Sequence, residues 1–123
     1  MPIHYTINRD CCILEEIWTG SVGIGDLKEY WENYLSDPAV LELRRTVVDL
    51  RAAEIRFTGQ QLDDLVQALV VPKLNGLNWT TALVVNAPIQ YGVSRQYQVF
   101  AERYSKDSIF NDYNEAEAWL LKQ

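Results

Sequence analysis

Short runs of β-branched and apolar residues alternate along this chain with longer segments whose apolar residues recur every three or four positions. The runs at 46–50 and 81–85 are continuous, which is typical of strands covered on both faces. Helical periodicity follows each of them. Because a helix that connects two parallel strands packs back onto the sheet, this alternation predicts an α/β fold with right-handed crossovers.

The first two strands are predicted to form a hairpin. Ile3, Tyr5 and Ile7 alternate with polar residues, and a second apolar run at about 11–18 follows turn residues at 8–10. A last, short edge strand is indicated by residues 109–110. We therefore predict one domain over residues 1–123, a mixed sheet of about five strands with about four helices in the order ββαβαβαβα.

Helix starts are marked by capping residues. Gly23 with Asp26 precedes the first helix, Thr58 and Gln61 form a capping box before the second, and 112–115 resembles another before the last. The first helix is predicted to end at 36–38. The third helix has an apolar stripe that consists of Ile89, Val93, Tyr97, Phe100 and Tyr104.

Composition and charge exclude several classes of protein. The chain carries 11 basic and 17 acidic side chains, a net charge of −6, which argues against a nucleic-acid partner. No apolar run approaches the roughly 18 residues of a membrane helix, and the amino terminus does not resemble a signal peptide, so we expect a cytoplasmic protein without a membrane span.

Catalytic and metal-binding patterns are sparse. Adjacent Cys11 and Cys12 would point to opposite faces of a strand, and a single histidine, His4, is too few for a zinc site or a catalytic triad. Glu15 and Glu16 would also diverge across the sheet, so they do not predict a carboxylate dyad. We expect a protein that is not an enzyme and has no metal or cofactor.

Candidate binding residues follow the predicted parallel strands. In open α/β sheets, ligands bind beyond the carboxyl ends of strands, which here points to Asp49, Arg51, Thr58, Asn86 and Tyr91. An ion pair between Asp49 and Arg51 is possible, since alternate strand residues share a side.

Thr58 with Gly59 has two interpretations. It is a candidate phosphoacceptor or anion site, because a helix amino terminus favours negative charge, or simply a helix cap.

Aromatic residues are concentrated in the third helix. Tyr91, Tyr97, Phe100 and Tyr104, with Trp79 nearby, exceed what one narrow stripe needs. An exposed aromatic patch would mark a dimer contact or an apolar groove, and packing in the core is the alternative for most of these rings. Tyr97 therefore joins the candidate ligand or partner contacts.

Several segments in a fixed order resemble a known bacterial family. They are Trp18-Thr-Gly20, Gly25-Asp-Leu-Lys-Glu-Tyr30, Val47-Val-Asp-Leu-Arg-Ala52, Tyr91-Gly92 with Ala101-Glu102, and Phe110-Asn-Asp-Tyr-Asn-Glu-Ala-Glu-Ala-Trp-Leu120. Together they resemble the SpoIIAA-like family.

The resemblance implies a STAS-like fold, similar also to the lipid-binding CRAL-TRIO domains. The best understood relatives are anti-sigma-factor antagonists, protein-binding switches phosphorylated on a serine at the start of the helix after the third strand. Their D-S-S-G motif is replaced here by Arg56-Phe-Thr-Gly59, so the equivalent position is Thr58.

Two hypotheses of function follow. The first is a regulatory protein-interaction module of the STAS-like type, a homodimer through its aromatic helix, with a regulatory protein partner at the loop around Thr58. The alternative is a carrier or sensor of a small apolar or lipid-like ligand, bound between the sheet and the third helix and reached from the side of Asn86 and Tyr91.

Overall fold

The computed structural model describes residues 2–123, which contain a five-stranded mixed sheet. The strands are β1 (Ile3–Asn8), β2 (Ile13–Val22), β3 (Arg45–Ile55), β4 (Trp79–Val84) and β5 (Ser105–Phe110), and they lie side by side in chain order. β1 runs antiparallel to β2, and every other neighbouring pair is parallel. The predicted fold class, including the opening hairpin and the central position of the third strand, is confirmed.

Helices connect the parallel strands and follow the last one. They are α1 (Ile24–Tyr34), α2 (Pro38–Leu43), α3 (Gly59–Leu65), α4 (Val71–Leu74), α5 (Pro88–Phe100) and α6 (Tyr113–Leu121). A π-helical segment (Val66–Val70) joins α3 to α4. Across residues 2–123, no helix combines the length and hydrophobicity that crossing a bilayer requires.

Several boundaries differ from the prediction, and residues 2–123 contain six α-helices where about four were predicted. β2 begins at Ile13, so Cys11 and Cys12 lie in the hairpin turn rather than in a strand, and Cys12 has a φ of 56°. The segment that was predicted only to end α1 also starts α2. Asp37 caps that helix by accepting the N–H of Ala39, and Pro38 occupies an early position where its missing N–H costs nothing.

The predicted caps form. Thr58 Oγ1 accepts the N–H of Gln61 at 3.2 Å, and the Gln61 side chain accepts the N–H of Thr58 at 2.9 Å. Asp26 likewise accepts the N–H of Gly23, and Asp112 accepts that of Glu115. These bonds satisfy donors that a helix leaves free in its first turn.

The sheet has an apolar cluster on each face. β3 supplies both, because Val48 belongs to the cluster under α1–α5 and Val47 to the smaller cluster under α6. Strand neighbours point to opposite faces, which explains why 46–50 is a continuous apolar run with few polar interruptions.

A break in the register of β3 is held by a buried glutamine. Ile17 of β2 pairs with Asp49, whereas Thr19 pairs with Ala52, so β3 carries one extra residue between these pairs. Gln90 of α5, 3% exposed, donates from Nε2 to the carbonyl of Ala53 at 3.0 Å and accepts the N–H of Asn86 at 2.9 Å.

We expect Gln90→Ala to lower the free energy of unfolding by about 2 kcal/mol, because it leaves a buried carbonyl and a backbone N–H without this partner. The measurement is urea denaturation followed by circular dichroism. Gln60→Ala, which removes only an exposed bond to Asp64, serves as the control and should change stability by less than about 0.5 kcal/mol. Equal effects of the two substitutions would contradict the role of Gln90.

Candidate functional site

A cavity of about 60 Å³ lies between the sheet and the helices α1, α3, α4 and α5. The central strands β2, β3 and β4 form its floor. Its walls are mostly apolar, but six polar side chains reach it. These are Glu16, Tyr34, Thr46, Thr81, Ser94 and Tyr97. We take this cavity as the candidate site because buried polar groups converge on an apolar space there.

Glu16 is the most unusual residue of the cavity, since a carboxyl group is 4% exposed inside an apolar layer. Its neighbours on the same side of β2 are Leu14 and Trp18, which places it on the inner face. Trp18 Nε1 donates to Oε2 at 2.6 Å, and the Tyr30 hydroxyl donates to Oε1 at 2.7 Å. Burial raises the pKa of Glu16 to about 7, and these two donors only partly oppose the rise.

Tyrosines surround the carboxyl group. Tyr30 and Tyr34 stack with ring centroids 5.1 Å apart, and the Tyr34 hydroxyl shares a 2.7 Å hydrogen bond with Oγ1 of Thr46. Burial raises the pKa of Tyr34 and of Tyr97, and the charge of Glu16 raises both further. These phenols are therefore neutral hydrogen-bonding groups at ordinary pH.

A second buried carboxyl group lies on β5. Asp107 pairs in register with Thr81, which places it on the same face of the sheet. Ser105 Oγ donates to Oδ1 of Asp107 at 2.6 Å, whereas Oδ2 has no hydrogen-bond partner within residues 2–123. Burial raises the pKa of Asp107 to about 7, and its charge acts on Tyr97.

Ser94 of α5 is the other unsatisfied group. The residue is 1% exposed and lines the cavity, and its Oγ has no hydrogen-bond partner among the described residues. Native proteins leave few buried polar atoms unpaired, so such an atom at a cavity wall calls for an explanation. A guest molecule or water in the cavity would supply the missing partner.

The lining favours a particular kind of guest. Among residues 2–123 the lining includes no Lys, Arg or His, so an anion would lie beside the carboxyl group of Glu16 with no positive charge in the lining. In the same range, no group of three or more His, Cys, Asp or Glu side chains is placed to hold a metal ion. The arrangement suits a small molecule that fills apolar space and hydrogen-bonds at one end.

Thr58 and Gly59 lie away from the cavity lining. The Thr58 hydroxyl is exposed but is used in the capping box. Gly59 lies next to the side-chain amide of the exposed Gln96 on α5. Phosphorylation or anion binding at Thr58 stays a prediction.

Asp49 and Arg51 form the predicted ion pair, but not at the end of a strand. Both lie inside β3, because this strand continues to Ile55. The guanidinium contacts the carboxylate through two bonds of 3.0 Å, and the pKa of Asp49 is lowered because these bonds and the charge of Arg51 outweigh its burial. The pair shares the face of Val47, opposite the cavity.

Asn86 and Tyr91 line a different space from Tyr97. They border an open groove of about 400 Å³ at the carboxyl ends of β4 and β5, and this groove shares no lining residue with the cavity. Tyr97 lines the cavity itself. Phe100 and Tyr104 also pack against the core, as the core-packing alternative for most of these rings expected, whereas Tyr91 is 53% exposed.

Four residues of the predicted stripe pack against the core, namely Val93, Tyr97, Phe100 and Tyr104, and Ile89 is the exception. Ile89 is 57% exposed, whereas Gln90 and Ser94 are buried. The apolar pattern did not predict that Gln90 is buried, because this side chain bonds the irregular part of β3.

Glu16 is a site residue that the sequence analysis missed although a signal existed. It stands between Leu14 and Trp18 at a spacing of two, which places it on the buried face of the strand.

Comparison with solved structures supports the fold. A crystal structure of an uncharacterized protein from the DUF3478 family with a SpoIIAA-like fold, from Shewanella loihica PV-4, superposes with a TM-score of 0.62. The two sequences are 17% identical over 96% of this chain and 93% of that one. No protein-family model and no curated protein matches the sequence. The SpoIIAA-like fold is thus confirmed, and membership of the family stays a prediction.

The raised pKa of Glu16 predicts how stability depends on pH. Between about pH 4.5 and 7 the unfolded chain ionises this carboxyl group while the folded chain keeps it protonated, so the free energy of unfolding falls as pH rises. The fall from Glu16 is at most about 3 kcal/mol, and Asp107 acts in the same direction. Glu16→Gln should therefore stabilise the protein by about 1–3 kcal/mol at pH 8 and change little at pH 4.5.

Urea denaturation at both pH values measures this difference. Glu15→Gln is the matched control, because its carboxyl lies on the other face of β2 and accepts a hydrogen bond from Asn8. A stabilisation at pH 8 that is equal for the two variants, or absent from Glu16→Gln, would contradict the account of Glu16.

Proposed function

We propose that this chain is a non-enzymatic cytoplasmic module that carries or senses a small ligand in the cavity between the sheet and α5. The observation that supports the proposal is the cavity of about 60 Å³ with the unpartnered Oγ of Ser94 on its wall. Because a water molecule needs about 10–15 Å³ of such space, the guest has about four non-hydrogen atoms. The proposal follows the alternative hypothesis from the sequence analysis, a carrier or sensor of a small ligand, but the ligand is smaller than a lipid.

The size of the cavity gives a direct test. Val48 borders it from β3, and Val48→Ile adds one methylene group there, where an existing void can accept it at little cost in stability. We expect at least one member of a library of neutral, cationic and anionic molecules of up to about four non-hydrogen atoms to bind the wild type and to bind Val48→Ile at least about tenfold more weakly.

Binding is measured by saturable shifts of backbone amide resonances in NMR titrations, with the shifts expected near Val48, Thr81 and Ser94. Val99→Ile makes the same change at an exposed site of α5 and should bind like the wild type. If no molecule of any charge class binds in the cavity, the proposal is wrong.

A second candidate function is a protein-interaction module, which was the first hypothesis from the sequence. The observation that favours it is the exposure of apolar side chains on α5, where Tyr91 and Val99 are 53% and 54% exposed. At 100° per residue they lie about 80° apart on the helix, so one partner surface can cover both. Tyrosine side chains such as that of Tyr91 are enriched at protein interfaces.

Light scattering coupled to size-exclusion chromatography tests the homodimer that this candidate predicts. We expect a dimer at micromolar concentration, and we expect Tyr91→Ser to weaken it because the aromatic contact area is lost. His4→Ser, on the distant edge strand β1, is the control. A strictly monomeric wild type would remove the homodimer from this candidate function.

A further inference from the structure

The apolar layer around the cavity holds two buried carboxyl groups without a positive partner among the described residues. Glu16 lines the cavity, and Asp107 is buried on the same face of the sheet. Burial raises the pKa of Glu16, two neutral donors partly oppose this rise, and no cationic side chain contributes to the shift. Two carboxyl groups therefore share this apolar layer uncompensated by a cation of the described chain.

The titratable side chains that face Glu16 cannot compensate it. They are Tyr5 of β1, Tyr30 and Tyr34 of α1, and Tyr97 of α5. Each of these phenols has a pKa raised above its ordinary value, so each is neutral when Glu16 ionises. They donate or accept hydrogen bonds but carry no positive charge.

A buried carboxyl group has two ways to avoid the cost of an isolated charge. It can hold its proton, or it can ionise beside a cation. Below about pH 7 the protein without a bound ligand keeps this proton, because burial raises the pKa of Glu16 to about 7. A cationic guest allows the second, because its charge replaces the proton beside Glu16.

Ser94 gives an independent indication of the guest. Its Oγ, which can accept as well as donate a hydrogen bond, has no partner among the described residues, and the residue is 1% exposed. An ammonium group has three N–H donors, which suits a carboxylate and additional neutral oxygens at once. Four further residues with hydroxyl groups line the same cavity, namely Tyr34, Thr46, Thr81 and Tyr97.

Aromatic rings add to the match. Trp18, Trp31, Tyr34, Trp79 and Tyr97 all line the cavity. Trp and Tyr rings attract organic cations, and the attraction is stronger where water is excluded. The aliphatic part of the lining consists of Leu and Val side chains, which suit a short alkyl group.

We propose that the ligand of this cavity is a small primary amine bound as its ammonium ion, with the Glu16 carboxylate as counter-ion and Ser94 Oγ as a further acceptor. The inference rests on the proposed function, since it names the chemistry of the guest in the same cavity. The volume of about 60 Å³ limits the whole amine to about four non-hydrogen atoms.

Three probes of similar size separate the charge classes. Ethylammonium, ethanol and acetate are titrated into the protein at about pH 8, with amide shifts near Ser94 and Tyr97 as the signal. We expect ethylammonium to bind at least about tenfold more tightly than ethanol, and acetate not to bind, because an anion would lie beside uncompensated carboxylates.

Glu16→Gln should abolish the preference for ethylammonium over ethanol, whereas the matched variant Glu15→Gln should keep it. Ser94→Ala retains both carboxyl groups and tests the site should Glu16→Gln not fold, with a loss of about fivefold expected for ethylammonium. Ethanol binding as tightly as ethylammonium, or a preference that survives Glu16→Gln, would overturn the ammonium assignment and leave the proposed function standing. Failure of every small molecule to bind would overturn both.

Discussion

The buried Glu16 carboxyl constrains the layer between the sheet and α1. Its two oxygens accept hydrogen bonds from Trp18 on the same strand and from Tyr30 on the helix. A carboxyl group inside an apolar layer is tolerated only where such donors reach it, so the bond to Tyr30 fixes how α1 lies over β2. Tyr30 stacks on Tyr34, so the position of the next turn of α1 over the sheet is also constrained.

The cavity lies beside Glu16, between the sheet and the helices that cover it. Large rings from α1 and α5 meet across the sheet, as Trp31 and Tyr97 do with centroids 6.1 Å apart. Ser94 is too small to fill the space beneath α5 that a larger residue would occupy. Protein interiors are normally packed to the density of organic crystals, so a void with polar atoms at its wall is a distinctive feature of this layer.

Much of the fold could be predicted because it depends on local patterns. Residues 46–50 and 81–85 indicated covered strands, and Thr58 with Gln61 indicated a helix start that the structure confirms. The site was less predictable. Of the candidate residues, only Tyr97 reaches the cavity, because the ends of parallel strands, where the others were sought, lie away from the middle of the sheet where helices and strands leave a void.

The sequence by itself determined the order of the strands and of the longer helices, the capped helix starts and the central place of β3, because each follows from periodicity or capping within a few neighbouring residues. Only the tertiary structure decided that Asp107 and Glu16 lie buried on one face and that Ser94 stays unpaired. Burial, and hence the raised pKa of both carboxyl groups, depends on which distant elements cover a residue. That information is absent from any short segment and arises only when α1 and α5 pack on the sheet.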